Sequence, residues 1–198
     1  RHNRDYVALF RDDPLWFEPG TSQRYSNGGY VLLGEIIARA SGEDYYDYVR
    51  RHVFAPAGMT RTDSYATDDP TPGVAMGYYL GEDGVLRENV HTRPARGSAA
   101  GGGYATADDL LALELALRGG KLAGPAWSAW ALGGPRPGAT PDAATMPDRY
   151  VLMGGAPGIT ARLDRVGPWT LVLLGNLDRR LLGHVEEDLH EWLRSARD

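Results

Sequence analysis

The 198 residues include no cysteine, so disulfides, thiolate metal ligands and a cysteine nucleophile are excluded, while either redox compartment suits the chain. Lysine is almost missing as well: Lys121 stands alone beside twenty arginines. No run approaches the roughly 18 apolar residues that a membrane span requires. The opening Arg1-His2-Asn3-Arg4-Asp5 leads into no apolar signal segment, as a mature, processed or truncated start would also read. Positive charge is in deficit, with 21 basic against 26 acidic residues and a net charge of -5. Without an arginine cluster there is no electrostatic reason to bind nucleic acid or an anionic membrane, and neither is expected as a partner. What is present, 42% hydrophobic and 24% charged residues, fits a globular domain with ample material for a core.

Helical signals come first. Tyr6, Leu9 and Phe10 mark a short helix over 5–11 that stops before Pro14. Tyr30, Leu33, Ile36, Ile37 and Ala40 recur at i, i+3, i+6, i+7 and i+10, a helical stripe ending at Gly42. Asp44 can cap the next helix, with Asp47 in capping-box position, Tyr45, Tyr48, Val49 and His52 inward, and residues 56–58 as its end. Two β-favouring runs, 75–80 and 85–90, suggest a hairpin. Thr106 and Asp109 have capping-box spacing before a leucine-rich helix that Gly119-Gly120 terminates, and Pro125 can open another. Residues 133–147 turn to Gly, Pro, Ala and Thr, long for a structureless connection. Strands are then expected over 150–154, 159–166 and 169–175, and Val185, Leu189, Trp192, Leu193 and Ala196 make an amphipathic final helix. The fold class is α+β: a mainly helical part over 1–132, a loop over 133–149, and an antiparallel sheet with a covering C-terminal helix over 150–198.

The five histidines show no metal-ligand spacing, so neither a metal nor another cofactor is expected. Glu186-Glu187-Asp188 reads as a solvated helix face, with Glu186 and His190 an i,i+4 pair. The glycine-rich stretch 97–103 lacks the Gly-Lys-Ser/Thr ending of a phosphate loop and reads as a place where backbone passes close to a neighbour. Ser98 has Arg96 and Ala100 where a nucleophile elbow needs glycines. At Tyr25-Ser26-Asn27 the residues alone suggest Asn27 as an N-cap and Tyr25 as a packed aromatic.

The longer stretch Phe17-Glu-Pro-Gly-Thr-Ser-Gln-Arg-Tyr-Ser-Asn-Gly-Gly-Tyr-Val-Leu-Leu-Gly-Glu-Ile-Ile37 resembles the Tyr-x-Asn region of the β-lactamase-related serine hydrolases, which group class C β-lactamases, DD-peptidases and esterases. Four further segments resemble that family in the same order: Ala40-Ser-Gly42, Val53-Phe-Ala-Pro-Ala-Gly-Met59, Ala99-Ala-Gly-Gly-Gly-Tyr-Ala-Thr-Ala-Asp-Asp-Leu110 and Gly154-Gly-Ala-Pro-Gly158. The resemblance implies a partial penicillin-recognising fold and acyl transfer from a β-lactam, peptide or ester carbonyl to a serine in a Ser-x-x-Lys motif. It implies Tyr25 as general base and Asn27 as a hydrogen-bonding partner of lysine and substrate. Leu152-Met153-Gly154 takes the place of a Lys/His-x-Gly strand motif, with Leu152 and Gly154 in the substrate cleft and the Gly155 N–H as oxyanion donor.

Two departures stand out. The only lysine, Lys121, has Arg118 three residues before it, so these residues hold no Ser-x-x-Lys. Leu152 replaces a cationic or imidazole side chain. The sequence is therefore expected to be the C-terminal portion of a longer hydrolase, inactive alone, with strand 169–175 left as an unpaired edge that invites self-association. The alternatives are a catalytically inactive relative serving as a binding or scaffolding module, and a degenerate gene fragment.

Overall fold

Helices fill the front of the chain and an antiparallel sheet its end in the computed structural model, which describes residues 1–69, 71–139 and 144–195. The α+β class holds. The short helix expected over 5–11 is present as a 3-10 helix that starts and ends two residues earlier, Asn3–Leu9. Its buried Asn3 donates to the Val31 carbonyl (2.9 Å) and Glu35 (2.8 Å) and accepts from the Ala99 N–H (2.9 Å), tying three segments together.

Helix α1 spans Asn27–Ser41 and stops where Gly42 takes φ 74°, a left-handed conformation that costs glycine little. Its buried face differs from the expected stripe. Val31 and Gly34 point inward, whereas Tyr30, Leu33 and Ile36 are 46%, 52% and 60% exposed. The reason is close approach: a Cβ on Gly34 would lie 2.6 Å from the Ala99 Cβ and 2.7 Å from Asn3 Nδ2. The glycine face goes inward because only it admits these neighbours, and the larger apolar residues are turned out.

Helix α2 (Tyr45–Val49) is capped as expected, Asp44 accepting the Tyr46 N–H at 3.0 Å. It runs through a π-helical turn, Arg50–Phe54, into α3 (Ala55–Ala57) and ends at Gly58, φ 83°. Asp47 pairs with Arg50 at 2.7 Å rather than closing a box. The buried aromatic is Tyr46, not Tyr45 or Tyr48: its hydroxyl donates to the Gly97 carbonyl at 2.7 Å and the Arg96 guanidinium covers its ring. Burial pushes the Tyr46 phenol up to about 12. The 97–103 loop behaves as a close backbone passage, since a Cβ on Gly97 would overlap the Gly102 backbone.

The hairpin is shorter than expected, β1 (Tyr78–Leu80) pairing antiparallel with β2 (Leu86–Glu88). Thr106 caps α4 (Ala107–Arg118) by accepting the Asp109 N–H at 3.2 Å. Asp109 then turns away from the box to accept from the Arg61 N–H and the Thr62 hydroxyl. Pro125 opens α5 (Pro125–Ala131). Residues 133–139 and 144–148 hold no helix or strand.

Strands β3 (Arg149–Ala156), β4 (Ile159–Val166) and β5 (Trp169–Gly175) follow in antiparallel order, the last two with the expected bounds. Directly opposed residues in such a ladder share a face. Leu152, Leu163 and Val172 therefore line the side where Leu132, Tyr150 and Leu163 form a core cluster, with Leu110 and Leu117 of α4 packed against it. On the other side lies α6 (Arg179–Ser195); Ala196, assigned to its stripe, is outside the described residues.

Glu186 does not face solvent with His190. It meets Arg162 and Arg179, and His190 Nε2 lies 2.6 Å from Asp164 Oδ2. Arg162 and Asp164 alternate onto the α6 side of β4, so each helix residue finds a desolvated partner there that outcompetes its exposed i,i+4 neighbour. Glu187 and Asp188 stay exposed.

Candidate active site

Ser26, with an extended backbone (φ -146°, ψ 121°), is the N-cap of α1 and accepts the Gly29 N–H at 3.2 Å. Asn27, expected as the cap, is the first helical residue, and its side chain is free for another partner. That partner is Tyr25: the hydroxyl donates to Asn27 Oδ1 at 3.1 Å. The Tyr25 ring leans on Tyr30 with centroids 5.5 Å apart and is 69% exposed. The cap thus sets two chemically useful groups side by side at an open helix entrance. Phe10 supports this corner from behind, its ring filling the space beside Gly28.

Strand β3 carries the other candidates. Leu152, Gly154 and Gly155 pair with Leu163, Ala161 and Thr160 of β4, and among the described residues no strand pairs with the outer side of β3. Leu152 is 38% exposed on the helix-facing side. Backbone N–H groups along an unpaired edge are available donors, and the two glycines let a carbonyl substrate approach them closely. The Tyr25–Asn27 corner and β3 are joined by no hydrogen bond among the described residues. Lys121 follows the end of α4, and its side chain takes part in no hydrogen bond among the described residues.

An open cavity of about 260 Å³ borders the end of β3, lined by Met153, Gly155, Thr160, Arg162, Arg179 and Glu186. No group of three or more His, Asp or Glu side chains suited to a metal occurs among the described residues, and no described helix is long and apolar enough to cross a membrane.

Residues 1–187 match the family described as Beta-lactamase. The chain belongs to that family. Within this beta-lactamase-fold group of serine hydrolases it is 45% identical over 65 residues to penicillin-binding protein 4* of Bacillus subtilis, a match covering 32% of this chain and 14% of that protein. The crystal structure of a penicillin binding protein from Bacillus halodurans superposes with a TM-score of 0.80 at 28% identity, covering 94% of this chain and 62% of that one. A D-amino acid amidase from Ochrobactrum anthropi shares the fold, with a TM-score of 0.76 at 23% identity over 100% of this chain and 65% of its own. The chain spans less than two thirds of each of these relatives.

Sequence reasoning missed the side chains that brace the end of β3. Asn89 donates to the Pro157 carbonyl at 3.0 Å and Asp178 accepts the Gly158 N–H at 2.8 Å. Both act across long sequence separations, where no local pattern points.

Proposed function

We propose that this chain is the C-terminal portion of a serine hydrolase that opens β-lactam, peptide or ester carbonyls through an acyl-serine intermediate. The nucleophile would come from a segment outside these 198 residues, which form one partial domain with parts 1–132, 133–149 and 150–198. The observation that carries this reading is the Tyr25–Asn27 pair, held at 3.1 Å at the entrance of α1 and open to solvent. A polar pair whose side chains have no hydrogen-bond partner beyond each other among the described residues, next to the exposed Tyr30 ring, suits a site whose opposite wall is supplied from elsewhere.

In the proposed reaction a serine hydroxyl adds to the carbonyl carbon while its proton passes to the Tyr25 phenolate. The carbonyl oxygen, now negative, takes a hydrogen bond from the Gly155 N–H. Collapse expels the amine or alkoxide, which recovers the proton from Tyr25, and water repeats the sequence to free the acid. A phenol of ordinary pKa near 10 serves as base at neutral pH only beside a cation. Lys121 follows Arg118 by three residues rather than a serine, so that cation is assigned to the same outside segment as the nucleophile. Asn27 orients it. Leu152 and Gly154 form an apolar cleft wall.

Leu152 also favours a second reading, a relative that keeps the fold as a binding or scaffolding module, because an apolar side chain there manages no proton. The two readings separate on the product of the longer reading frame. With Ser-x-x-Lys upstream, that product should take a fluorescent penicillin or fluorophosphonate covalently, and Tyr25→Phe should slow labelling by about a hundredfold or more. A folded product that takes neither probe overturns the hydrolase reading. Besides substrate, the partner we propose is a second copy of the chain, meeting the open edge of strand 169–175.

A further inference from the structure

The hairpin between β3 and β4 has Ala156 opposite Ile159, which leaves Pro157-Gly158 as a two-residue loop, with Gly158 at φ 71°. Proline followed by a positive-φ glycine is the pattern of a type II turn, whose twist matches flanking strands less well than that of the primed turns usual in hairpins. Such a turn needs outside support, and two glycines at 154 and 155 make the strand leading into it easy to deform.

The support comes from the β1–β2 hairpin and the segment after β5. Asp178 uses both oxygens: Oδ1 accepts the Gly158 N–H at 2.8 Å and Oδ2 the Leu80 N–H at 2.9 Å. Fully buried Asn89 donates from Nδ2 to the Pro157 carbonyl at 3.0 Å, and its own N–H is fixed to the Gly77 carbonyl at 2.9 Å. The backbones interlock as well. A Cβ on Gly77 would overlap the Gly158 carbonyl oxygen, and one on Gly158 would come within 2.7 Å of the Tyr78 nitrogen. Tyr78 itself donates to the Asn176 carbonyl at 2.8 Å.

We propose that Asn89 and Asp178 are positioning residues which clamp the Pro157-Gly158 turn and thereby fix the direction of the Gly155 N–H. This rests on the reading of Gly155 as the oxyanion donor. The physical need is tight, because a donor works only within about 2.7–3.1 Å of where the negative oxygen develops. Burial works against the Asp178 carboxylate, but the Gly158 and Leu80 N–H groups and Arg180 outweigh it and hold its pKa below the ordinary value. The anion is the form that grips the turn.

The test is a set of amide correlation spectra and hydrogen-exchange rates on the ¹⁵N-labelled chain. Asn89→Ala and Asp178→Asn should each shift the Gly155 amide resonance and raise exchange at Gly158 about tenfold or more, with α4 resonances unmoved. Asp83→Ala removes the Asp83–Arg87 pair and the Asp83 contact to the Val85 N–H, both within the far turn of the same hairpin, and should leave Gly155 where it is. Asn89→Leu is uncharged and close to the same shape but lacks the donor, so a shift with this variant ties the effect to the hydrogen bond rather than to filled volume or charge. A Gly155 resonance unchanged in folded Asn89→Ala and Asp178→Asn overturns the clamp. These readouts need no nucleophile, so the clamp and the hydrolase reading fail separately: one by an unmoved amide, the other by a longer product that takes no covalent label.

Discussion

Asp164 concentrates more electrostatic consequence than any other side chain on the α6 side of the sheet. It is fully buried, one oxygen lies 2.6 Å from both Arg162 Nε and His190 Nε2, and the other has no partner among the described residues. Arg162 continues the chain of charges to Glu186, and Glu186 to Arg179. Removing one member strands the others in a poorly solvated place, which costs more than the intact pair contributes. Asp164→Ala should therefore lower unfolding free energy by about 3 kcal/mol in urea titrations. Replacing Arg162 and Asp164 together by Met and Leu should cost less than the single change. A loss under about 0.5 kcal/mol for Asp164→Ala, the size of an ordinary surface change, would refute the assignment. The sequence shows His190 and Glu186 four apart, and that spacing misleads, because His190 has a better-desolvated partner 26 residues back on β4.

At the scale of elements, signals that act within one turn of chain were legible. Thr106 and Asp44 cap as expected, Gly42 and Gly58 end their helices with positive φ, and 159–166 and 169–175 match strands residue for residue. Orientation was not legible. Periodicity identifies an apolar stripe on α1 but not whether a glycine on another face is wanted for close approach, and Gly34 decided the matter. Acid should undo the contacts that hold the later elements together. Burial disfavours the Asp178 and Glu186 carboxylates, yet amide donors on Asp178 and Arg179 and Arg162 on Glu186 leave both pKa values below their ordinary 3.8 and 4.5. A carboxyl with a depressed folded pKa contributes stability above its unfolded value that disappears as pH falls through the folded one. Urea midpoints should hold from pH 6 to about 5 and drop below about 4, and Asp178→Asn should flatten the drop. An unaltered acid slope in that variant would show that the Asp178 contacts contribute nothing measurable.

For the whole molecule, the candidate site was legible in one half and hidden in the other. Tyr25 and Asn27 sit inside a run of local motif, whereas the supports of Gly155 come from Asn89 and Asp178, which only the folded chain brings to the turn. The surface carries a related consequence. The outward Tyr30, Leu33 and Ile36 leave one face of α1 apolar, and among the described residues no strand pairs with the far side of β5. An open edge bearing Leu171, Val172, Leu173 and Leu174 offers unpaired N–H and C=O groups to any extended segment, including the same strand of a second copy. Association by this route should be concentration dependent and sensitive to charge placed on the edge. Light scattering at tens of micromolar should report species larger than the 21.6 kDa chain. Leu174→Lys, which replaces a 38% exposed leucine near the end of that edge, should move the population toward monomer, because two copies would then bring like charges together. A monodisperse monomer before any substitution would contradict the edge as an association surface, and oligomers that persist in Leu174→Lys would shift the interface to the apolar face of α1.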